Sequence, residues 1–201
     1  MMKADAAATA IHTLSSIIHR LDARTLFKQE QPLEVEIGAG DGSFLANYAA
    51  ATPHCNFIGV ERLLGRLRKV DRKGRRAGLK NLALLRIEAA YFIEYLLPLR
   101  AVQAIHIYFP DPWPKKKHRK HRLIAGPFPG IARQALVPGG VVYLRTDDAD
   151  YFAQMQEVFA AAQEHFAPVP TPPELAALTT DFERGFNARG IATLRAAYRL
   201  K

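Results

Sequence analysis

The feature that most constrains this chain is an alternation. Five short, largely apolar runs lie at 33–38 (LEVEIG), 56–61 (NFIGVE), 82–88 (LALLRIE), 104–110 (AIHIYFP) and 140–146 (GVVYLRT), each separated from the next by a stretch compatible with a helix. Runs of this length, rich in Val, Ile, Leu and Phe, read as strands buried on both faces. Helices are expected at 43–51, 62–77, 91–97 and 118–136, with a fifth at 149–164. Val137-Pro138-Gly139-Gly140 stops the fourth helix and turns the chain into a strand. Parallel neighbours need crossover connections, so this repetition predicts an α/β fold: a doubly wound, mostly parallel sheet with helices on both faces. Ligands of such sheets bind beyond the carboxyl ends of the strands. A Pro-rich loop at 168–173 precedes a last extended stretch at 192–200, expected to return as an antiparallel edge. Ile11, Leu14, Ile17, Ile18 and Leu21 stand at helical spacing, so residues 1–30 are expected to form a helical segment packed on a single domain at 31–201.

The 201 residues are 49% apolar and 23% charged, which fits one globular domain and excludes disordered, collagenous and coiled-coil classes. No stretch approaches the roughly 18 apolar residues of a membrane span. The amino terminus lacks a compact apolar core behind a basic start, so neither a membrane partner nor a secretory signal is expected. A single cysteine, Cys55, permits no internal disulfide and points to a reducing, cytoplasmic compartment. It directly precedes a strand and reads as packing, not as a nucleophile. Charge is the unusual quantity: 28 Lys and Arg against 19 Asp and Glu, a net +9. Residues 62–80 carry nine basic residues and one acid, and residues 115–122 carry six basic residues and two histidines. The rest of the chain is net negative. Charge concentrated in this way is rewarded by phosphates, so a nucleic acid is the expected partner. His118 and His121 have no companion cysteine or nearby acid, so no metal is expected there.

Glu36-Ile37-Gly38-Ala39-Gly40-Asp41-Gly42 lies where the first strand meets the first helix. Gly38, Gly40 and Gly42 allow a tight turn and close approach of a ligand to the backbone. The spacing is G-x-G-x-G, not the G-x-G-x-x-G of dinucleotide sites. Glu36, Glu61 and Glu88 each fall at the end of one of three successive strands, where unpaired carboxylates would repel one another. A ligand with a ribose, an amino-bearing base and a cationic centre would match them. S-adenosylmethionine has all three, whereas the pyrophosphate of NAD would meet the wrong charge at Glu36.

Residues 108–118 (YFPDPWPKKKH) follow the fourth strand. Each proline restricts the residue before it, so the loop is stiff and non-helical and fixes Asp111 at the ligand end of the sheet. Trp113 reads as a core anchor, and Lys115 is placed to pair with an RNA phosphate.

The segment 109–118 closely resembles the signature of the tRNA (guanine-N7)-methyltransferases. Glu36 to Gly42, Glu61, Thr146-Asp147 and Thr180-Asp181-Phe182-Glu183 follow in that family's order, and the resemblance covers about residues 32–198. It implies a Rossmann-like class I methyltransferase with a seven-stranded sheet, moving a methyl group from S-adenosylmethionine to N7 of the guanine at tRNA position 46. By the same resemblance Glu36, Glu61, Glu88 and Asp111 bind the cofactor and Asp111 is also the catalytic residue. Lys115, Asp147, Thr180, Asp181, Phe182 and Glu183 contact the tRNA. Two departures stand out: Glu88 replaces a typical Asp or Asn, and the Arg-rich arm before the first strand is reduced to His19-Arg20-Leu21 and Arg24. Alternatives are another RNA or small-molecule methyltransferase, a non-catalytic RNA-binding subunit and a nicotinamide dehydrogenase.

Overall fold

A computed structural model describes residues 9–201. Among these, eight strands form one sheet: β1 (Ile11–His12), β2 (Leu33–Ile37), β3 (Asn56–Val60), β4 (Leu82–Leu85), β5 (Val102–Tyr108), β6 (Leu136–Thr146), β7 (Phe166–Val169) and β8 (Leu194–Leu200). Their order is β1-β4-β3-β2-β5-β6-β8-β7, with β8 antiparallel to both neighbours and every other pair parallel.

Strand periodicity divides the apolar residues between two cores. Val35, Ile37, Ile58, Val60, Ile105 and Ile107 face one side. There they meet α4 (Phe128–Ala135) and α5 (Ala149–Ala160) through Phe128, Ala132, Tyr151 and Phe159. Phe57, Leu82 and Leu84 face the other side, under α1 (Ser43–Ala51) and α2 (Leu64–Arg76). On that side β2 presents Glu34 and Glu36. Glu34 accepts a 2.6 Å bond from the fully buried His106 of β5, whose other ring nitrogen bonds the Tyr108 hydroxyl at 2.8 Å.

The sheet has eight strands where seven are expected, and the extra strand comes from the amino terminus. The helical spacing at Ile11 to Leu21 gives no α-helix among the described residues; residues 1–8 lie outside them. The Ser16 hydroxyl instead accepts the Ile18 and His19 amides, each at 3.2 Å, a local turn that competes with helix propagation. Ile11 and His12 extend the sheet beside β4. The segment is pinned by Arg20, which donates to the carbonyls of Leu97 (2.9 Å) and Glu94 (3.2 Å).

The helix expected at 118–136 is broken. A 3-10 turn spans Lys116–His121, and α4 starts only at Phe128. Pro127 has no N–H and its ring excludes the preceding helical turn, so it can open α4 but cannot lie inside a longer helix. The helix expected at 91–97 is a short α3 (Ala89–Tyr91) running into a π turn (Phe92–Leu96). The Pro-rich loop yields β7, where Pro168 is tolerated because the strand lies on the sheet border.

Candidate active site at the carboxyl edge of the sheet

β2 and β5 are neighbours, but the strands that follow them diverge, β3 and β4 to one side and β6 to the other. The crevice above their carboxyl ends is the switch point where such a sheet takes its ligand. The glycine turn crosses it, with φ of 81°, 56° and 74° at Gly38, Gly40 and Gly42. The amides of Gly38 and Ala39 both donate to the Val60 carbonyl at 2.9 Å, tying the turn to the end of β3. Gly42 is obligatory: a Cβ there would lie 2.5 Å from Val70 of α2.

The three expected cofactor acids differ in environment. Glu36 is 3% exposed, and its Oε2 has no hydrogen-bond partner among the described residues. Burial raises its carboxyl from 4.5 to about 8, with Arg145 opposing the shift and Asp41 and Glu61 adding to it. A cation brought beside such a buried acid would favour its ionised form. Glu61 accepts the Gly40 amide (3.1 Å) and the Leu63 amide (2.8 Å), so it shapes the glycine turn while lying at the end of β3. Glu88 is exposed and caps α3, accepting the amides of Ala90 (3.0 Å) and Tyr91 (2.8 Å). β4 has already ended at Leu85, so Glu88 belongs to the following turn and not to the strand.

Asp111 is exposed at the end of β5, between two residues in left-handed backbone, Phe109 (φ 52°) and Trp113 (φ 45°). For aromatic residues this conformation costs on the order of 1–3 kcal/mol each and persists only where the surroundings enforce it. The turn carries Trp113 outward. It is 37% exposed, with its ring 5.9 Å from His118 and 5.2 Å from His121, and is not the core anchor its size suggests.

Asp147 follows β6 half-buried, with no hydrogen bond to its carboxylate among the described residues, and Lys115 is exposed beyond the proline loop. The segment 180–183 folds back to the glycine turn. The Asp181 amide donates to the Ser43 hydroxyl at 2.9 Å, and Phe182 reaches within 3.9 Å of where a Gly40 Cβ would stand. Thr180 and Glu183 form a capping box at the start of α7 (Asp181–Asn187). Glu183 is fully buried, with both oxygens taken by Arg145 and Arg195. It fixes the segment instead of presenting a carboxylate, leaving Asp181 and Phe182 on the surface. Beside them a cavity of about 340 Å³ is lined by Asp41, Arg66, Lys69, Phe186 and Arg189.

Arg145 was not among the expected site residues. It donates to the Leu175 and Leu178 carbonyls, each at 2.6 Å, and lies 4.2 Å from the Tyr108 ring centre. Its only trace in the sequence is an arginine inside an otherwise apolar strand. Cys55 is buried, its thiol pushed by burial to about 12, and it donates to the Pro32 carbonyl at 3.0 Å. Among the described residues no helix is long and apolar enough to cross a membrane, and no group of three or more potential metal ligands occurs.

This sheet, with its glycine turn and antiparallel β8, is that of the Rossmann-like class I methyltransferases. The chain superposes on the 16S rRNA methyltransferase KamB with a TM-score of 0.63 at 18% identity, over 91% of this chain and 95% of that one. It also superposes on SMU.1697c from Streptococcus mutans, solved in complex with SAH, with a TM-score of 0.53 at 10% identity, over 86% and 90% of the two chains. In sequence, residues 30–195 match the family model described as "Putative methyltransferase". The chain is 34% identical over 198 residues to the tRNA (guanine-N(7)-)-methyltransferase of Halorhodospira halophila, covering 90% of this chain and 80% of that one. It is 37% identical over 151 residues to the protein of that name from Geobacter metallireducens, covering 75% and 71%. With the Nocardia farcinica protein of that name the identity is 38% over 141 residues, and the match spans about half, 52%, of that longer chain. The chain belongs to the tRNA (guanine-N7)-methyltransferase family.

Proposed function

We propose that this protein transfers a methyl group from S-adenosylmethionine to N7 of a guanine in tRNA, position 46 of the variable loop being the expected target. In this reading residues 31–201 form the methyltransferase domain, which acts in the cytoplasm as a monomer or homodimer and without a metal. The observation that carries it is the unpartnered Glu36 oxygen, buried at the switch point beside the glycine turn. The donor set fits the cofactor. Glu36 would face its cationic end, Glu61 the ribose hydroxyls, and the exposed Glu88 the adenine amino group. When bound, S-adenosylmethionine supplies a methyl group on an electrophilic sulfonium.

Guanine N7 is exposed in the major groove and carries a lone pair in the neutral base, so no proton must first be removed. The chain therefore has to supply alignment, which can contribute several kcal/mol. Asp111, held between Pro110 and Pro112, would accept a hydrogen bond from the N1–H/N2–H edge of guanine and steady the charge developing on the purine. Asp147 would be a second acceptor. Acceptors suit the donor edge of guanine better than that of adenine. Lys115 and the exposed Asp181 and Phe182 would complete the contact with the RNA.

The test is to incubate purified protein with bulk tRNA and methyl-labelled cofactor, digest the RNA and identify the labelled nucleoside. N7-methylguanosine is expected, and N6-methyladenosine alone would overturn the reading. Absence of label, with no thermal stabilisation by S-adenosylmethionine, would instead identify a non-catalytic RNA-binding subunit.

A further inference from the structure

Arg122 ends the second basic run, where a cation is expected to face solvent and phosphate. It is instead 3% exposed, and each of its three guanidinium nitrogens has an acceptor. Nε donates to the Pro112 carbonyl at 2.6 Å, Nη1 to Gln154 Oε1 at 2.8 Å and Nη2 to Asp150 Oδ2 at 2.6 Å. The same group lies 4.8 Å from the Tyr151 ring centre. Gln154, Asp150 and Tyr151 all belong to α5, which packs on the sheet, whereas Pro112 directly follows Asp111. The guanidinium thus joins the proline loop to a rigid helix.

The loop needs such a tie. Its backbone is left-handed at Phe109 and Trp113, a conformation that large side chains leave unless the surroundings hold it. One end is fixed where the Phe109 amide donates to the Arg145 carbonyl at 2.8 Å. Beyond Asp111 the Arg122–Pro112 bond performs the same service, so the Asp111 peptide is held from both sides.

We propose that Arg122 is a positioning residue that acts through Pro112 to set the placement of Asp111, and not a cation that grips tRNA phosphate. The inference rests on the proposed role of Asp111 in guanine methylation. Only a planar fork reaches all three acceptors while stacking on Tyr151, so lysine would keep the charge and lose the geometry.

The experiment compares the wild type with Arg122→Lys by two independent readouts. In steady-state kinetics on tRNA, displacement of Asp111 lowers kcat, by about 100-fold for a shift near 1 Å, with the KM for tRNA and the cofactor Kd within about twofold of wild type. In acrylamide quenching, Trp113, the only tryptophan of the chain, reports the loop directly and becomes more accessible in the variant. Should Arg122→Lys fail to fold, Asp150→Ala and Gln154→Ala remove the helix side of the tie at partly exposed positions. Each is expected to lower kcat by about 3- to 10-fold and to increase quenching. Unchanged kcat with a raised KM for tRNA, or wild-type quenching in every variant, overturns the proposal. Increased quenching in a protein whose wild type methylates no guanine upholds the tie and overturns the functional reading alone.

Discussion

The Arg145 guanidinium and the Glu183 carboxylate meet at 3.0 Å with side chains 1% and 0% exposed, joining the end of β6 to the first turn of α7. Arg195 of β8 takes the other Glu183 oxygen, and Arg145 also holds two carbonyls around α6 (Pro173–Ala177). The segment bearing Asp181 and Phe182 therefore reaches the glycine turn through one buried charge cluster. Removing one partner of such a pair strands a charge out of water, at a cost of about 3–5 kcal/mol. Glu183→Ala is expected to lose stability of this order, with the two carbonyls on Arg145 holding the loss to the low end. Urea unfolding measures it, and a variant as stable as wild type would contradict the arrangement.

Glu36 makes stability depend on pH in the direction opposite to that of a paired carboxylate. The folded protein keeps its proton up to about pH 8, whereas the group ordinarily releases it near 4.5. Across that window the folded state holds more protons, so stability falls as pH rises and levels off above it, by on the order of 5 kcal/mol. Glu36→Gln is expected to flatten this decline and to be more stable than wild type at alkaline pH. The same variant should lose stabilisation by S-adenosylmethionine, because an amide gives a cation no opposite charge. Cofactor binding to the wild type at neutral pH should release nearly one proton, measurable by calorimetry in buffers of different ionisation enthalpy.

Asp111→Ala separates chemistry from cofactor binding. Asp111 is exposed and makes no structural hydrogen bond among the described residues, so the variant should fold and bind S-adenosylmethionine with little change. Loss of a fixed acceptor for the guanine edge is expected to cut turnover by about 10³-fold or more. Single-turnover kinetics on tRNA provide the measurement, and near-normal turnover would remove Asp111 from the reaction.

What the sequence made legible, and what it hid, follows from the range of each interaction. Glu36, Glu61 and the three glycines were readable because a strand end and a tight turn are local patterns, and the parallel sheet then brings successive strand ends together. The buried role of Glu183 was not, because its partners Arg145 and Arg195 are 38 and 12 residues away and nothing local marks the pairing. Arg122 was hidden by company: among five other cations it looks like one more solvated charge, and only the position of α5 reveals its burial. Residues 9–30 failed for another reason. Their apolar spacing suits a helix, but Ser16 closes a turn on its own backbone and the open edge of β4 offers Ile11 a strand partner.

The basic runs can be divided between structural and free charge, which makes the salt dependence of RNA binding a quantitative test. In the first run Lys73 is committed to Asp41 at 2.6 Å and Arg75 to Asp71 at 3.1 Å, leaving Arg62, Arg66, Arg68, Lys69, Arg72, Arg76 and Lys80 exposed without an ion pair among the described residues. In the second, Arg119 and Arg122 are held by Asp150, and Lys115, Lys116, Lys117 and Lys120 remain exposed. Both runs begin at the carboxyl edge of the sheet, after β3 and after β5, so one tRNA laid across that edge would meet both. Engagement of about four phosphates or more gives log Kd against log salt a slope steeper than about 3. Reversing Arg66 and Lys69 to Glu should weaken tRNA binding and reduce that slope, with cofactor affinity unchanged. Reversing Lys80, at the far end of the first run, should matter less. Filter binding across a salt series reads both quantities, and a flat dependence would exclude this face as the RNA footprint.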